Sequence, residues 1–314
     1  MKIGLNTDGV RHLTLDETLD LAADLRLDYV EFATGNWSSA PHVDLDALLS
    51  GAGARRDLQA KLAERDLRIS ALTCSGNPLH PGPSGREHDA VTRATIELAG
   101  LLGVERVIMM SGLPAGPGDS HPNWVTVSWP PEAGELLEWQ WTSVVLPYWR
   151  KLVPFANAHG VAKLCLELHA QQVVYNVPTL HRLRDEVGPT VGANLDPSHL
   201  MWMGADPVAS VAALGEAIYH VHAKDTRIEP NAATRTVLET LPLFTDTPAE
   251  RAWNYVTLGD GHDENFWRQF LAALAAAGYT DVLSIEHEDT TIDPVEGVRR
   301  TVDLLRRLAP VSTT

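Results

Sequence analysis

Cysteine is nearly absent from this sequence, and the two thiols that occur form no pattern. Cys74 and Cys165 each lie within an apolar run of strand length. Two isolated cysteines argue against a disulfide framework and against a cysteine metal site. We therefore expect a protein of a reducing cytoplasm.

Long hydrophobic runs are also missing. No apolar stretch approaches the ~20 residues that a membrane-spanning helix needs. The segment from Met1 to Asn6 enters a strand pattern at once, without the charged start and apolar core of a signal peptide. The sequence predicts a cytoplasmic protein without a membrane partner.

Positive charge is scarce. Lys and Arg total 25 against 41 Asp and Glu, which gives a formal net charge of -16. A surface this acidic repels the phosphates of nucleic acids and of anionic membranes. We expect no nucleic-acid partner.

The sequence does contain a regular alternation of strand-length apolar runs and longer segments of helical period. The eight predicted strands are Ile3–Asn6, Tyr29–Ala33, Arg68–Cys74, Arg106–Gly112, Lys163–His169, Val191–Asp196, Ile218–Lys224 and Val282–His287. Repeated strand–helix units favour a parallel sheet, and closing it removes both exposed edges. We predict an α/β fold, a (β/α)8 TIM barrel spanning residues 1–314 as a single domain. An open sheet is the alternative.

Local signals define the first helix and two insertions. Thr14 and Glu17 have the spacing of a capping box, and the helix that they open should end near Leu25. The segments 113–141 and 226–257 break the regular spacing after the fourth and seventh strands. Loops at that end of a barrel surround the active site, so we expect both to form walls or a lid at the C-terminal face. Tryptophans in the first insertion could pack a small core, contact a second subunit or stack on a sugar.

The last four predicted strands all end in ionisable residues. Side chains alternate along a strand, so Glu167, His222 and Glu286 should each face away from the apolar positions that would lie beneath the helices. The same parity applies to Asp196. Because the carboxyl ends of neighbouring strands meet at one mouth of a barrel, these four side chains should converge there.

Three carboxylates and one imidazole suit a borderline-hard divalent ion. We therefore predict one metal held by Glu167, Asp196, His222 and Glu286, with Mn²⁺ expected and Mg²⁺, Co²⁺ or Zn²⁺ as alternatives. Ordinary charges paired with Lys224 and nearby histidines would be the competing interpretation, but burying three acids among so few bases is costly without a metal.

At these positions the sequence resembles the xylose isomerase-like TIM barrel superfamily, in its sugar phosphate isomerase/epimerase branch. The motifs that carry the resemblance are Asp-Pro-Ser-His at 196–199, His-Ala-Lys-Asp at 222–225, Gly-Asp-Gly-His at 259–262 and Ser-Ile-Glu-His-Glu-Asp at 284–289. The resemblance implies that the two glutamates, Glu167 and Glu286, bind metal and also move protons. It also implies that His199 binds substrate. Related proteins in this branch resemble the larger subunit of C-glycoside deglycosidases, which act on 3-oxo-glycosides and pair with a small second subunit, and others resemble inosose dehydratases.

A phosphorylated substrate is not indicated. The predicted mouth lacks a glycine-rich phosphate cradle and offers mainly Lys224 and Arg227 as cations, which we assign to substrate binding. Gly259 and Gly261 have the character of turn residues before a helix. We therefore expect a neutral sugar, a keto-sugar or a keto-sugar glycoside as the small-molecule substrate.

Three functions fit this site. The first is an isomerase or epimerase in which Glu167 and Glu286 remove and return a proton next to a carbonyl. The second is a lyase that eliminates a group from a 3-oxo-glycoside or an inosose, with His169 as a candidate base. The third is a non-catalytic sugar-binding subunit. The aromatic first insertion favours a homo-oligomer, which a small second subunit could join. His287 and Asp289 should support Glu286.

Overall fold

Eight parallel strands form a closed barrel in the computed structural model, which describes residues 1–245 and 247–308. The barrel strands are β1 (Lys2–Asn6), β2 (Tyr29–Ala33), β3 (Arg68–Thr73), β4 (Arg106–Met109), β5 (Lys163–Glu167), β6 (Val191–Leu195), β7 (Ile218–Ala223) and β10 (Val282–Ile285). Each strand pairs with its neighbours in chain order, and β1 closes the ring against β10. The predicted (β/α)8 barrel is confirmed.

The helices lie between the strands and cover the barrel. They are α1 (Leu15–Asp24), α2 (Leu45–Ser50), α3 (Ala52–Ala63), α4 (Pro83–Leu102), α5 (Pro131–Trp139), α6 (Leu146–Ala158), α7 (Val177–Val187), α8 (Pro197–Met203), α9 (Pro207–Leu214), α10 (Ala232–Arg235), α11 (Glu264–Ala276) and α12 (Pro294–Leu308). A π-helical segment, Gln140–Val145, joins α5 to α6. None of the helices in the described ranges is long and apolar enough to cross a membrane.

The predicted start of α1 is confirmed in detail. The Thr14 hydroxyl accepts a hydrogen bond from the backbone N–H of Glu17, and the Glu17 carboxylate accepts one from the backbone N–H of Thr14. This capping box satisfies two of the backbone groups that a helix start leaves free. The helix ends at Asp24, with Leu25 as its C-cap, as predicted.

The predicted strands all form, but most end earlier than expected. The fourth was predicted to reach Gly112 and ends at Met109, and the fifth was predicted to reach His169 and ends at Glu167. The two strands pair only as far as the Met109–Leu166 register. His169, which follows the end of β5, therefore lies outside the sheet.

Side-chain parity divides the barrel wall into two faces. The outward residues of the last four strands, among them Leu166, Leu195 and Val221, belong to the main apolar core beneath the helices. On the inner face, Ala71, Ile108 and Cys165 form a small cluster inside the barrel. The alternation therefore directs apolar residues outward and leaves the inner face near the mouth to polar groups.

The two insertions have different structures. The first contains a proline-rich segment and α5, and it packs Trp141 into the core while leaving Trp129 76% exposed. The second begins one residue earlier than predicted, at Asp225, and contains an antiparallel pair, β8 (Asp225–Ile228) and β9 (Trp253–Val256). The second sheet therefore stands directly at the end of barrel strand β7.

Candidate metal and substrate site

The four predicted ligands converge at the C-terminal mouth of the barrel. One donor atom from each of Glu167, Asp196, His222 and Glu286 lies within 4.8 Å of those of the other three. They come from β5, from the turn after β6, from β7 and from the turn after β10. Adjacent parallel strands bring these positions together although they span 120 residues of sequence.

The two oxygens of Asp196 have different partners. Asp196 is the N-cap of α8, where its Oδ1 accepts the backbone N–H of Ser198 at 2.8 Å. Its Oδ2 is buried and faces two side-chain cations, with His199 Nε2 3.1 Å away and Lys224 Nζ 3.5 Å away. A divalent ion in the cluster would replace these side chains as the partner of Oδ2.

The His222 ring has carboxylates on both sides. Its Nδ1 lies 3.2 Å from Glu167 Oε1 and 3.1 Å from Glu286 Oε2, and its Nε2 lies 3.1 Å from Glu31 Oε1. Burial lowers the pKa of this imidazole. The charges of Glu31 and Glu286, and the hydrogen bonds that the ring donates to Glu167 and Glu286, outweigh burial and raise the pKa well above its ordinary value.

Glu286 is the most exposed of the four ligands, with 19% of its side chain accessible. Its Oε1 accepts a hydrogen bond from Asn6 Nδ2 at 3.2 Å, and its Oε2 accepts one from Lys224 Nζ at 2.9 Å. The predicted supports of Glu286 have other partners. Asp289 accepts hydrogen bonds from the backbone and hydroxyl of Thr257. His287 packs against Gly297 on α12, so Asn6 and Lys224 take the supporting role instead.

Lys224 is buried among acids. Its Nζ lies 2.9 Å from Glu286 Oε2, 2.5 Å from Glu288 Oε2 and 4.2 Å from the centre of the Tyr255 ring. Burial lowers the pKa of this ammonium group, but Glu286, Glu288 and Asp196 together raise it well above its ordinary value. The charge of Lys224 is therefore largely neutralised by the protein itself.

Two histidines border the ligand cluster. His199 lies on the first turn of α8, where its Nδ1 meets the Tyr255 hydroxyl at 2.9 Å and its Nε2 faces Asp196. Burial would lower its pKa, but Asp196 raises it to about 9. His169 lies just beyond β5, and burial and the neighbouring His199 lower its pKa to about 4.

The cavity above the cluster has a volume of about 300 Å³. Among the ligands, Glu167 and Glu286 line it, whereas Asp196 and His222 lie behind them. The rest of the lining includes His169, His199, Lys224 and, from the second insertion, Leu243, Phe244 and Tyr255. No residue of the first insertion lines this cavity within the described ranges, so the prediction that both insertions form its walls is wrong for the first.

Arg227 lies apart from the cavity. It is the third residue of β8, its side chain is 44% exposed, and its guanidinium pairs with Glu229 at 2.8 Å. The structure therefore does not bring Arg227 to the other predicted substrate-binding residues. The chain leaves the barrel after Ala223, and Arg227 is carried outward on the new strand.

Several residues of the site were not predicted from the sequence, among them Glu31 and Tyr255. Glu31 lies on the inner face of β2, fully buried, and contacts His222. Val30 and Phe32 face the outer core, so the alternation along β2 directs Glu31 into the barrel. The same alternation predicted the direction of the four candidate ligands. Tyr255 comes from β9 in the second insertion, where no sequence pattern indicated its direction.

The Gly-Asp-Gly-His motif binds a carboxylate of the protein itself. The backbone N–H groups of Gly259, Gly261 and His262 all donate to Asp225 Oδ2, at 3.0, 3.2 and 3.0 Å. A Cβ on Gly261 would lie 2.4 Å from the backbone oxygen of Thr226. These amides are therefore occupied, and the motif fixes β8 to the loop before α11 rather than binding phosphate.

The residues of the cluster fit a divalent ion. Three carboxylates and one imidazole, with one donor atom from each within 4.8 Å of the others, form a donor set for a borderline-hard cation. Four such ligands would leave coordination positions for substrate oxygens. The fold and site together define a (β/α)8 barrel with a candidate metal centre at its C-terminal mouth.

Comparison with known proteins specifies the family. The model of the family described as xylose isomerase-like TIM barrel matches residues 19–308, which is most of the chain. The chain belongs to this family, as the sequence motifs indicated.

One relative and two solved structures show the extent of the similarity. "Uncharacterized protein YfiH" of Bacillus subtilis (strain 168) is 50% identical over 311 residues, which are 98% of this chain and 99% of that protein. The probable 3-DHS dehydratase AsbF from Bacillus anthracis superposes with a TM-score of 0.68 at 18% identity, over 98% of this chain and 99% of that one. The IOLI protein with a binding zinc atom has a TM-score of 0.67 at 20% identity, over 98% of both chains. At these identities the two structures show the shared fold.

Proposed function

We propose that this protein is a divalent-metal-dependent sugar isomerase or epimerase that removes a proton next to the carbonyl of a neutral sugar or keto-sugar. The observation that carries the proposal is the position of the two glutamates. Glu167 and Glu286 belong to the ligand cluster and also line the cavity, whereas the other two ligands lie behind them. Two carboxylates that reach both metal and substrate suit a reaction that removes and returns a proton.

A divalent ion bound to the cluster would act as a Lewis acid toward the carbonyl oxygen of the substrate. Glu286 accepts the proton from the carbon next to that carbonyl, because it is the more exposed of the two glutamates. In an isomerisation Glu286 returns this proton to the neighbouring carbon. In an epimerisation Glu167 delivers a proton taken up from solvent to the opposite face, and Glu286 releases its proton to solvent. His199 lines the cavity beside the cluster. Its Nε2 faces Asp196 in the metal-free site, and we assign it to a substrate oxygen once a metal engages Asp196.

The cavity favours a small neutral substrate. Its volume of about 300 Å³ is at the lower end of the range for small-molecule sites, roughly 300–1,000 Å³. Lys224 is engaged by Glu286 and Glu288, so its charge is not free for a phosphate. The apolar side chains of Trp37 and Phe244 line the same cavity and suit the C–H face of a sugar ring.

Hydrogen exchange tests this proposal directly. The Mn²⁺-loaded protein is incubated in D₂O with free ketoses and with 3-oxo-glucosides, and NMR follows deuterium uptake and product formation, with a chelated sample as the control. We expect metal-dependent uptake of deuterium next to the carbonyl together with a rearranged sugar. A protein that binds the metal tightly and exchanges no proton of any of these substrates would contradict the proposal.

A lyase is the second candidate, and the position of His169 favours it. This histidine lines the cavity beside the glutamates, and its lowered pKa keeps it neutral and able to accept a proton at neutral pH. A base that starts an elimination would release water or an aglycone instead of a rearranged sugar. The name of the Bacillus anthracis neighbour, a probable dehydratase, is compatible with such chemistry on this fold.

The variant His169→Asn separates the two candidates. In an isomerase that uses the two glutamates, this variant should keep deuterium exchange within about tenfold of the wild-type rate, whereas loss of the general base of a lyase lowers the rate by about 10²- to 10⁴-fold. Release of an aglycone or of water from a 3-oxo-substrate, abolished in His169→Asn, would establish the lyase and replace the isomerase.

A further inference from the structure

Glu31 is the one fully buried acid on the N-terminal half of the barrel that touches a predicted metal ligand, among the described residues. Both of its oxygens face His222 Nε2, at 3.1 and 3.2 Å. The Thr73 hydroxyl donates to Oε1 at 2.5 Å, and the Ser284 hydroxyl donates to Oε2 at 2.7 Å. Hydrogen bonds from three strands therefore fix the Glu31 carboxylate in place.

A second metal site is one explanation of this arrangement. Donor atoms of Glu31, His220 and His222 lie within 4.8 Å of one another, and His220 Nε2 is buried without a hydrogen-bond partner. However, a metal there would need His222 Nε2, while Nδ1 of the same ring faces the first cluster. One imidazole can serve two ions only as a doubly deprotonated bridge, and Glu31 already receives two hydroxyl donors.

We propose instead that Glu31 is a positioning residue for the metal centre. Its carboxylate accepts the Nε2–H of His222, so the proton that an incoming metal displaces is the one on Nδ1, the nitrogen that faces Glu167 and Glu286. A neutral imidazole carries one proton, so placing it on Nε2 leaves Nδ1 free to bind a metal. Carboxylates in this position orient a histidine ligand and increase its basicity.

The surroundings of the ring support this assignment. His222 is 1% exposed, and the His220 ring packs edge-on against it, with centroids 5.5 Å apart and planes at 87°. Rotating the imidazole by half a turn would break the contact with Glu31 and would place carbon atoms against the two glutamates of the metal cluster. Glu31 therefore determines which nitrogen faces the metal cluster, while the cluster determines what binds there.

This inference rests on the proposed metal centre and identifies Glu31 as the residue that orients its imidazole ligand. The test compares Glu31→Gln and Glu31→Ala with the wild-type protein and with Glu229→Gln. Glu229 pairs with Arg227 outside the cavity, so it is a matched glutamate-to-amide control. Affinities for Mn²⁺ are measured by competition with a chelator. Cadmium-loaded, isotope-labelled protein is examined by NMR for coupling between the metal and the nitrogens of His222.

We expect the two Glu31 variants to bind Mn²⁺ about 10- to 100-fold more weakly than wild type, the usual effect of losing such a partner. Glu229→Gln should bind normally, and the wild-type protein should show one ion per chain with coupling to Nδ1. Ser284→Ala removes a single donor to Glu31 and should give a smaller loss, which keeps the test open if the Glu31 variants do not fold.

The outcomes separate this inference from the proposed function. Unchanged metal affinity and unchanged Nδ1 coupling in the Glu31 variants would overturn the positioning role, while leaving the metal centre intact. Two ions per wild-type chain, reduced to one in Glu31→Ala, would make Glu31 a ligand and also overturn it. A wild-type protein that binds no divalent ion would instead contradict the proposed metal-dependent function.

Discussion

The imidazole rings of His169 and His199 lie 4.2 Å apart at 62°, and their pKa values are shifted in opposite directions. The difference has a local cause. His199 faces the carboxylate of Asp196, which raises its pKa to about 9 against the effect of burial. Burial and the neighbouring cation lower the pKa of His169 to about 4. At neutral pH the cavity therefore contains one neutral and one cationic imidazole, a pairing suited to a base and an oxygen-binding group.

This pair predicts how the stability of the metal-free protein depends on pH. Because the folded pKa of His169 is below its ordinary value of 6.5, its contribution is present above pH 6.5 and is lost as the pH falls toward 4. The folded pKa of His199 is raised, so its contribution is present below pH 6.5 and is lost as the pH rises toward 9. In chelator, the midpoint temperature of unfolding should fall both toward acid pH and toward alkaline pH. His199→Gln should reduce the alkaline fall, and a fall identical to that of the wild-type protein would refute the assignment.

Metal binding should release a proton. The neighbouring acids raise the pKa of His222 well above its ordinary value, so the metal-free imidazole is protonated at neutral pH. An ion that binds through Nδ1 must displace that proton, and the affinity should therefore rise with pH. Calorimetric titration of Mn²⁺ in two buffers of different ionisation enthalpy should give release of about one proton per ion from this group. Identical heats in both buffers would contradict it.

The variant Glu286→Gln should slow proton transfer while leaving the protein folded. At saturating Mn²⁺ we expect deuterium exchange to fall by about 10²- to 10⁴-fold, because the amide cannot accept the substrate proton. The control Glu229→Gln changes a glutamate outside the cavity and should retain wild-type exchange. Near-normal exchange in a folded, metal-loaded Glu286→Gln would exclude this glutamate as the base. Loss of all exchange in both variants would point to a general effect of the substitution.

Asp225 should contribute more to stability than an ordinary helix cap. It is fully buried and its carboxylate accepts four backbone N–H groups, so the amide of Asp225→Asn would turn an NH₂ group toward donors or leave some of them unsatisfied. We expect a loss of about 3 kcal/mol or more in the free energy of unfolding. Asp263→Ala, which removes the exposed N-cap of α11, should cost only about 1 kcal/mol. Denaturant unfolding measures the loss of free energy in each variant. Equal losses would show that the buried hydrogen bonds of Asp225 stabilise the protein no more than an exposed helix cap does.

Two glycines in helices should respond oppositely to alanine. A Cβ on Gly297 of α12 would lie 2.0 Å from Cε1 of the His287 ring, whereas a Cβ on Gly53 of α3 meets nothing within 4 Å. We expect Gly297→Ala to destabilise the protein by about 1–3 kcal/mol through overpacking. Gly53→Ala should be neutral or stabilising by up to about 1 kcal/mol because alanine is the better helix former. Thermal unfolding of both variants checks the sign, and a stable Gly297→Ala would mean that the His287 ring can move aside.

The barrel and its candidate ligand cluster could be predicted because the direction of a strand side chain follows from its immediate neighbours in the sequence. Glu167 and Glu286 alternate with leucines or isoleucines that pack beneath the helices, so their direction follows from the burial of their neighbours. Arg227 was misplaced because the chain starts a new strand after Ala223, a change of direction that depends on the distant loop holding Asp225. The direction of Tyr255 depends on the same two-stranded sheet. Contacts between an insertion and the barrel are long-range, and no local period indicates them.

Closure of β1 against β10 brings together two sets of residues, the candidate ligands from one half of the chain and residues that contact them from the other half. All four candidate ligands come from the half that follows α6. Asn6, which contacts Glu286, and Glu31, which contacts His222 and is held by Thr73, come from the half that precedes α4. A fragment with the ligand-bearing strands alone would carry every donor atom, but it would lack Asn6 and Glu31. Tight metal binding would then require both halves of the chain, and the metal affinity would indicate whether the barrel is closed.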